Sequence, residues 1–324
     1  MHIDLKLGLS CNNRCRHCVM EPVRQRLENA HEDLDTEPNS IEALLVRLRE
    51  KGMSSITLTG GEPTLRKDFH ALLHTLAKTP LPITVQTNGR LLSSPEVKEA
   101  LGSLPRRRDI FFVVALHGAD STLHDAITRI PGSFKETVAG IAALTDLCFP
   151  VCGKMVLSRY NTDALAGTLT YMCELGIQEA MVAYPHAEAF PPVALRDVLP
   201  RYADVKKALA TLLRPTQPLP HLTWETIPFC VFPDSSFFPS SFDLMHLQAH
   251  LQNEKTIIEM SMTGERIEWE KSRKSIKSKG ERCRLCIMDH VCEGVWSEYF
   301  DLYDEDDLEP IQDIGAVQAF LEKL

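Results

Sequence analysis

Over its first 185 residues, the chain alternates short runs of β-forming residues with segments of helical periodicity. Strands are predicted at 2–9, 55–59, 83–87, 110–116, 151–158 and 179–184, and helices at 40–51, 68–78, 134–147 and 164–175. Alternation at this spacing is typical of βαβ units that build a parallel sheet. Six such units fit before Pro185, fewer than the eight of a complete barrel. The sequence therefore predicts an α/β fold, a partial (β/α)6 TIM-like barrel.

Uncommon residues stand directly after several of these predicted strands. Cys11 follows the first strand, Gly60 and Gly61 the second, Asn88 the third, and His117 the fourth. In folds of this class, the chemistry takes place at the C-terminal ends of the parallel strands. The coincidence predicts an active site at that edge of the sheet.

Charge and hydropathy argue against several classes of function. The 324 residues carry a formal net charge of −9, so no overall basic field attracts nucleic acid, which is not an expected partner. No apolar run is long enough to span a bilayer, and the N-terminus lacks the basic and apolar regions of a signal peptide. We expect a cytoplasmic protein without a membrane partner, in which cysteines are ligands or catalysts rather than disulfides.

Three cysteines lie close together near the start, where residues 11–18 read Cys-Asn-Asn-Arg-Cys-Arg-His-Cys. Three thiolates at this spacing can ligate three irons of a [4Fe–4S] cluster and leave the fourth iron open for a substrate or cofactor. A zinc site is the alternative, with His17 as a further ligand, although zinc usually takes paired CxxC or Cys/His sets. Residue chemistry alone favours a cluster on Cys11, Cys15 and Cys18, and zinc stays open.

Two motifs resemble those of the radical SAM (S-adenosylmethionine) superfamily. Cys11-x3-Cys15-x2-Cys18 after a first strand has the superfamily's spacing, although His17 stands where an aromatic residue is frequent. Thr59-Gly60-Gly61-Glu62-Pro63 is similar to the element that binds the methionyl amino group of SAM, and its glycines are expected to let a ligand approach the backbone. The resemblance implies a catalytic [4Fe–4S] cluster and SAM contacts from Gly60, Gly61, Glu62 and Pro63.

Weaker similarities follow at the ends of later strands. Gln86-Thr87-Asn88-Gly89 looks like the superfamily's third-strand end, and residues 116–134 look like the fourth-strand region of members that modify peptides. The resemblance implies that Asn88 and Arg129 contact SAM, with Ser158 as a weaker candidate. The alternatives are a plain turn residue for Asn88 and a surface ion pair for Arg129.

A second group of cysteines stands near the C-terminal end of the sequence. Cys283-x2-Cys286-x5-Cys292 has the character of an iron–sulfur or zinc site. A fourth ligand is needed to close the site, and Cys230 is the best candidate, with His290 as the alternative. A small zinc knot that only stabilises the C-terminal lobe is the alternative to a cluster.

This arrangement, followed by a glycine and aromatic residues, is similar to the SPASM and Twitch auxiliary-cluster domains of radical SAM maturases. The number of cysteines suits the shorter Twitch-like form and implies one auxiliary [4Fe–4S] cluster. We therefore expect a radical SAM core at 1–190, then a linker and a small C-terminal auxiliary-cluster domain at 191–324. Within the second part, we expect a helix at 202–213 and a β-hairpin at 256–269.

The resemblance specifies the cofactor chemistry better than the substrate. It implies an oxidoreductase or maturase that reductively cleaves SAM to a 5′-deoxyadenosyl radical, which abstracts hydrogen from substrate, with flavodoxin or ferredoxin as reductant. The leading expectation is maturation of a ribosomally made peptide by crosslinking, epimerisation or a related change. One alternative is an enzyme acting on a small metabolite or cofactor precursor. The other is a non-catalytic Fe–S electron-transfer protein, against which the Gly60–Pro63 element argues.

Cys152 lies on the predicted fifth strand, where it is expected to line the barrel. Some peptide epimerases of the superfamily require a cysteine that donates a hydrogen atom to the substrate radical, so Cys152 is a candidate for that role. The alternative is a small, buried apolar residue. Because the chain begins at its first predicted strand, a leader peptide is expected to use a groove on the core, the 190–260 segment or a separate partner.

Overall fold

The computed structural model describes residues 2–35, 37–50, 52–105, 107–187, 190, 192–213, 215–233, 257–260, 266–268, 275–290, 292–313 and 315. The strands in these residues are β1 (His2–Lys6), β2 (Ser55–Thr59), β3 (Ile83–Thr87), β4 (Ile110–Ala115), β5 (Val151–Val156), β6 (Glu179–Ala183), β7 (His221–Glu225), β8 (Ile257–Met260), β9 (Arg266–Glu268), β10 (Lys277–Ser278) and β11 (Val295–Trp296). The α-helices are α1 (Glu21–Ala30), α2 (Pro38–Glu50), α3 (Phe69–Ala77), α4 (Pro95–Gly102), α5 (Ser121–Thr128), α6 (Ser133–Asp146), α7 (Leu165–Glu174), α8 (Pro192–Val198), α9 (Tyr202–Ala210) and α10 (Tyr299–Leu302). None of these helices is both long enough and apolar enough to cross a membrane.

Strands β1 to β9 form one sheet in the order β7-β6-β5-β4-β3-β2-β1-β8-β9. Every neighbouring pair from β1 to β7 is parallel, and β8 also runs parallel to β1. β9 pairs antiparallel with β8 inside the predicted hairpin at 256–269, whose other residues lie outside the described part of the chain. The outermost strands of this sheet are β7 and β9, which are not paired with each other among the described residues, so the sheet does not close into a barrel. The α/β class and the open, partial barrel are therefore confirmed.

The predicted strands and helices are present, with ends shifted by at most a few residues. β7 extends the parallel series beyond the six predicted strands; it was not predicted because it is short and lies between prolines. Helix α1 was also not predicted, since its sequence EPVRQRLENA contains too few apolar residues for a stripe. Helix α5 was also not predicted, although its start carries a clear signal. The Asp120 side chain caps this helix by accepting from Leu123 N at 2.9 Å.

The apolar core lies between one face of the sheet and the helices. Alternate strand residues are buried there: Leu5 in β1 and Val85 in β3 are at most 2% exposed. Gly153 in β5 packs against α7, where an added Cβ would lie 2.6 Å from the Met172 sulfur. Because side chains alternate along a strand, the residues between these core positions point to the opposite face.

The opposite face of the sheet carries hydrogen-bonded polar side chains and is called the polar face below. His2 Nδ1 lies 2.7 Å from Ser55 Oγ, Thr59 donates to Gln86 at 3.1 Å, and Lys154 donates to Glu225 at 2.7 Å. Parallel sheets are usually apolar on both faces, because both are buried. A polar face that leads to the C-terminal strand ends is the environment of a site rather than of a core.

The C-terminal segment packs on α9 through aromatic residues. The rings of Tyr202 and Tyr299 lie 4.4 Å apart, and Tyr202 N donates to the Tyr299 hydroxyl at 3.1 Å. That hydroxyl donates in turn to Asp307 at 2.6 Å. β10 and β11 pair antiparallel beside it. Gly294 is required just before β11, because its φ is +85° and an added Cβ would overlap the Ser278 carbonyl oxygen.

Candidate metal centres and active site

The cysteine loop, residues 11–18, follows β1 at the C-terminal edge of the sheet. It is fixed from one side by the end of α5, since Arg14 N donates to the Thr128 carbonyl at 3.0 Å. It is fixed from the other side by the start of α1, since Glu21 N donates to the Cys18 carbonyl at 3.1 Å. Neighbouring elements therefore determine where its three thiols lie.

The surroundings of these thiols suit thiolate ligands. Cys11 Sγ accepts from Asn13 N at 3.4 Å and from Asn88 Nδ2 at 3.9 Å. Burial raises the pKa of each of the three thiols above its ordinary value. Metal binding reverses that preference, because a coordinating thiol is deprotonated. N–H donors to sulfur then stabilise the negative charge and tune a cluster.

Arg24, in α1, is a buried cation behind the cysteine loop that sequence reasoning missed. Its side chain is 3% exposed, forms an ion pair with Glu21, and donates from Nη1 to the Asn13 carbonyl at 3.2 Å. Its positive charge lowers the pKa of all three thiols, against the larger effect of burial. The available signal was weak: an arginine one turn into a short helix directly after the third cysteine.

Arg90 is a second arginine that sequence reasoning missed. Its Nη1 donates to the Asn12 carbonyl and, at 3.0 Å, to Asn13 Oδ1, while its Nε donates to Glu136 of α6 at 2.5 Å. It therefore ties the cysteine loop to α6. The available signal in the sequence was its place immediately after Asn88-Gly89.

Gly60 and Gly61 make close contacts with the cysteine loop and the residues before it. Gly60 has φ +120°, and an added Cβ would overlap the Gly8 carbonyl oxygen; a Cβ on Gly61 would overlap that of Ser10. Gly61 N also donates to the Gly8 carbonyl at 2.7 Å. The packing of the chain itself therefore requires both glycines, and a ligand contact from their backbone stays a prediction.

Glu62 joins the end of β2 to the end of β3. Its carboxylate is 3% exposed and accepts from Thr64 N, Thr64 Oγ1, Thr87 Oγ1 and Asn88 N at 2.6–3.1 Å. Burial raises the pKa of Glu62, and the four donors act against that rise. Pro63 is buried next to it, at the start of a 3-10 turn. The carboxylate thus orients the backbone of the Gly60–Pro63 element.

The remaining predicted SAM contacts lie in different surroundings. Asn88 is at the loop, donating to Asn12 Oδ1 at 2.6 Å. Arg129 also lies at the loop and donates to the Arg14 carbonyl at 2.5 Å. Its side chain is 44% exposed and forms an ion pair with Glu21. Ser158 is fully buried, and its hydroxyl is bonded to Asn161 at 2.9 Å. A SAM contact from each of the three stays a prediction.

Three histidines lie in or beside the cysteine loop: His17 belongs to the loop and is half-buried, while His117 and His124 are buried. The rings of His17 and His117 meet edge to face at 4.5 Å, and His117 N donates to His124 Nδ1 at 3.2 Å. Burial lowers the pKa of His17 and His124 to about 4 and that of His117 well below its usual value, so all three are neutral at pH 7. Ligand atoms of Cys15, His17 and His117 lie within 4.8 Å of one another and could hold a metal ion. Such a site would leave Cys11 and Cys18 without a role.

The second cysteine group contains Cys230, Cys283, Cys286 and Cys292, which come from two separate segments of the chain. Cys230, Cys283, Cys286 and Cys292 line one open cavity of about 360 Å³. Gly294 N donates to Cys292 Sγ and Ile311 N donates to Cys286 Sγ, both at 3.4 Å. His290, the alternative ligand, is exposed and does not line this cavity. Four thiols are the ligand set of a closed zinc site or a fully protein-ligated [4Fe–4S] cluster.

Cys152 lies in β5, on the polar face. It is 4% exposed and two residues before Lys154, which points to the same face. Burial raises the pKa of its thiol to about 12, so it stays protonated at neutral pH. A protonated thiol still carries the S–H hydrogen that a donor needs.

Comparison with known proteins gives a family and two informative relatives. A sequence model of the Radical SAM superfamily matches residues 5–171. The AdoMet-dependent heme synthase of Methanosarcina barkeri is 28% identical over 174 residues, 54% of this chain and 47% of the synthase. The sporulation killing factor maturation protein SkfB of Bacillus subtilis is 28% identical over 174 residues, 53% of this chain and 39% of SkfB. The chain thus spans half or less of the length of these curated relatives.

Among solved structures, SuiB of Streptococcus suis bound to its precursor peptide SuiA has a similar fold. The likeness covers 96% of this chain and 75% of SuiB, with a TM-score of 0.66 and 16% sequence identity. The shared fold therefore extends well beyond residues 5–171.

Proposed function

This chain belongs to the radical SAM superfamily, and on that premise we propose that it is a maturase of a ribosomally made peptide. It is an enzyme whose cofactors are a [4Fe–4S] cluster and SAM. In the proposed reaction, hydrogen is abstracted from Cα or Cβ of a peptide residue. That residue is then crosslinked, epimerised or otherwise altered.

The residues at the strand ends divide the work of this site. Cys11, Cys15 and Cys18 would hold the cluster; once bound, the reduced cluster and SAM supply the 5′-deoxyadenosyl radical that removes hydrogen from the substrate. Arg24 offsets the negative charge of the thiolates from behind the loop. Glu62 fixes the Gly60–Pro63 backbone, which we propose contacts SAM together with Asn88 and Arg129, with Ser158 as a weaker candidate.

The observation that carries the peptide proposal is the convergence of Cys230 with the other three cysteines of the second group. This set resembles the Twitch-like auxiliary sites of radical SAM peptide maturases, and the relative SkfB is itself named a maturation protein. We propose that an auxiliary [4Fe–4S] cluster binds here, in a domain that follows the core near residue 190. Closed by four thiolates, it would transfer electrons or support the fold rather than bind substrate.

The test is anaerobic. The protein is reconstituted with iron and sulfide and given SAM, a flavodoxin or ferredoxin reducing system, and synthetic peptides encoded by reading frames beside its gene. Mass spectrometry then measures 5′-deoxyadenosine and the peptides. Loss of two hydrogens indicates a crosslink, and deuterium uptake from D2O indicates epimerisation. If 5′-deoxyadenosine forms and no peptide changes, the peptide proposal is wrong while the radical chemistry stands.

Cys152 enters this proposal as the donor of a hydrogen atom to a substrate radical. Its protonated thiol and its place on the polar face support that role. In Cys152→Ala, 5′-deoxyadenosine formation would persist while the epimerised product and its deuterium label disappear. Full product formation by this variant would exclude the role.

A small metabolite or cofactor precursor is the second candidate substrate. The observation that favours it is the polar face itself, with its half-buried Lys154–Glu225 ion pair. The sequence similarity to a heme synthase points the same way. A metabolite extract freed of peptides that stimulates 5′-deoxyadenosine formation more than the peptide fraction does would favour this candidate.

A further inference from the structure

Lys154 and Glu225 form an ion pair on the polar face. Lys154 Nζ lies 2.7 Å from Glu225 Oε2, and the two side chains are 19% and 18% exposed. Lys154 lies in β5 and Glu225 is the last residue of β7, so the pair spans β6. In the register, Glu225 lies directly opposite Ala183 of β6, and Lys154 lies opposite Met181, two residues earlier in the same strand. The pair therefore lies at the same edge as the cysteine loop.

The carboxylate of this pair is held in its charged form. Burial raises the pKa of Glu225, but Lys154 and His186 together bring it well below its usual range. His186 Nε2 lies 3.9 Å from Glu225 Oε1. An ion pair that is mostly withdrawn from water adds little stability over apolar residues of similar volume, because desolvation opposes the attraction. Such pairs in a cleft are candidates for function instead.

Lys154 lies beside the end of β4, since Leu116 N donates to its carbonyl at 2.9 Å and His117 is the next residue. The ring of His117 lies 4.5 Å from that of His17. His17 immediately precedes Cys18 in the cysteine loop. Lys154 therefore brings positive charge to the region between the end of β4 and β7.

We propose that Lys154, held in place by Glu225, anchors the substrate by donating a hydrogen bond to a carbonyl-type oxygen. An ammonium has three N–H donors, and among the described residues Glu225 is the acceptor of one. The oxygen belongs to a carboxylate or to a peptide carbonyl, which share this chemistry. A charged donor makes a stronger hydrogen bond than a neutral one. The inference rests on the proposed function, because it requires a substrate at these strand ends, and it adds the chemical group that is recognised.

The experiment is a lysine footprint of the anaerobic holoenzyme with SAM and without the electron-donor system. Isotopic formaldehyde and dimethylamine–borane methylate accessible amines, and peptide mass spectrometry reads each lysine. One arm contains N-acetylglycine, a carboxylate, and the other contains N-acetylglycine N-methylamide, which offers peptide carbonyls alone. Lys98, a 43% exposed lysine paired with Asp146, is the internal control.

We expect one of the probes to protect Lys154 and neither to protect Lys98. At about five times its Kd, a probe slows methylation roughly sixfold, since the free fraction is 1/(1 + [L]/Kd). The effective arm identifies the source of the oxygen. Protection by neither probe, or equal protection of Lys98, overturns the proposal. Since no turnover is involved, these results are independent of whether 5′-deoxyadenosine or a peptide product ever forms.

The Glu225→Gln variant tests whether Glu225 holds the Lys154 side chain in place. Without the carboxylate, the Lys154 side chain is free to move, and we expect faster methylation in the absence of probe and weaker protection in its presence. Lys98 should not change. Unaltered protection of Lys154 in this variant would overturn the part assigned to Glu225.

Discussion

The two groups of cysteines in this molecule are held together by different means. The cysteine loop places three thiols within one short segment, and the sheet ends, α1, α5 and two missed arginines fix that segment. The second cysteine group takes one thiol from a 3-10 turn after β7 and three from residues 283–292. Three thiols leave one position of a cluster open for a cofactor, and four close it. Supporting residues therefore matter most at the first group, where the ligand set is incomplete.

The largest effect that separates the two groups is expected from Cys15→Ala. The first cluster loses one of three ligands, and 5′-deoxyadenosine formation should fall by more than about 100-fold, since even outer-shell changes cost 10–100-fold. Iron at the second cysteine group should remain. An anaerobic assay measures 5′-deoxyadenosine formation, and iron analysis measures the iron that remains bound. Loss of all iron would contradict the independence of the two sites.

A change of comparable size, but in the other group, is expected from Cys230→Ala. The variant should lose the iron of the second cysteine group and the peptide product while it still forms 5′-deoxyadenosine. His290→Ala is the matched control, because this exposed residue does not line the cavity. If His290→Ala loses the iron and Cys230→Ala keeps it, the ligand assignment is reversed.

Glu62→Gln tests the supports of the cysteine loop without touching a ligand. The amide NH2 replaces one acceptor oxygen, so the Asn88 N–H or a threonine donor is left facing another donor. An unmade buried hydrogen bond costs about 1–3 kcal/mol, which corresponds to a roughly 5- to 160-fold higher Kd for SAM. Equilibrium binding of SAM to the variant measures this change in Kd. Glu309→Gln is the control: the Glu309 side chain is 70% exposed in its ion pair with Lys206, and this variant should bind SAM normally.

Arg24→Met should shift the midpoint potential of the first cluster and leave the second unchanged. Removing a buried positive charge disfavours addition of an electron, so the potential should become more negative by a few tens to about a hundred millivolts. Redox titration followed by electron paramagnetic resonance resolves the two clusters. Arg24→Lys, which keeps the charge, should recover most of the shift; equal shifts in both variants would point to packing instead.

The smallest effect is expected from Arg129→Met. Its ion pair with Glu21 is 44% exposed on the arginine side, and such pairs contribute about 0–1 kcal/mol. Thermal unfolding should therefore hardly change. A clear loss of SAM affinity at unchanged stability would show that Arg129 contacts SAM, as the sequence resemblance implies.

Local patterns made most of the fold and the first site predictable. The alternation of strands and helices gave the parallel sheet, and the cysteine spacing with the Gly60–Pro63 element gave the family. These signals are local because a strand, a turn and a ligand loop are each encoded by a few consecutive residues.

Arg24, Arg90 and Glu225 were not predictable in this way. An arginine becomes buried through what packs around it, and nothing in the sequence of α1 distinguishes Arg24 from a surface arginine. Glu225 acquires its partner through the register of β5, β6 and β7, and β7 itself lacked a clear strand signal. Cys230 was predictable only as the best candidate for a fourth ligand, with His290 as the alternative, since its separation from the other three cysteines carries no geometric information.

The pairing of β8 with β1 has a consequence for the order in which the protein assembles during synthesis. His2 of the first strand lies opposite Ile257, about 250 residues later in the chain. At translation rates of about 5–20 residues per second, β1 therefore waits roughly 12–50 seconds for this neighbour. The strand that leads into the cysteine loop therefore leaves the ribosome well before it can gain both of its neighbours.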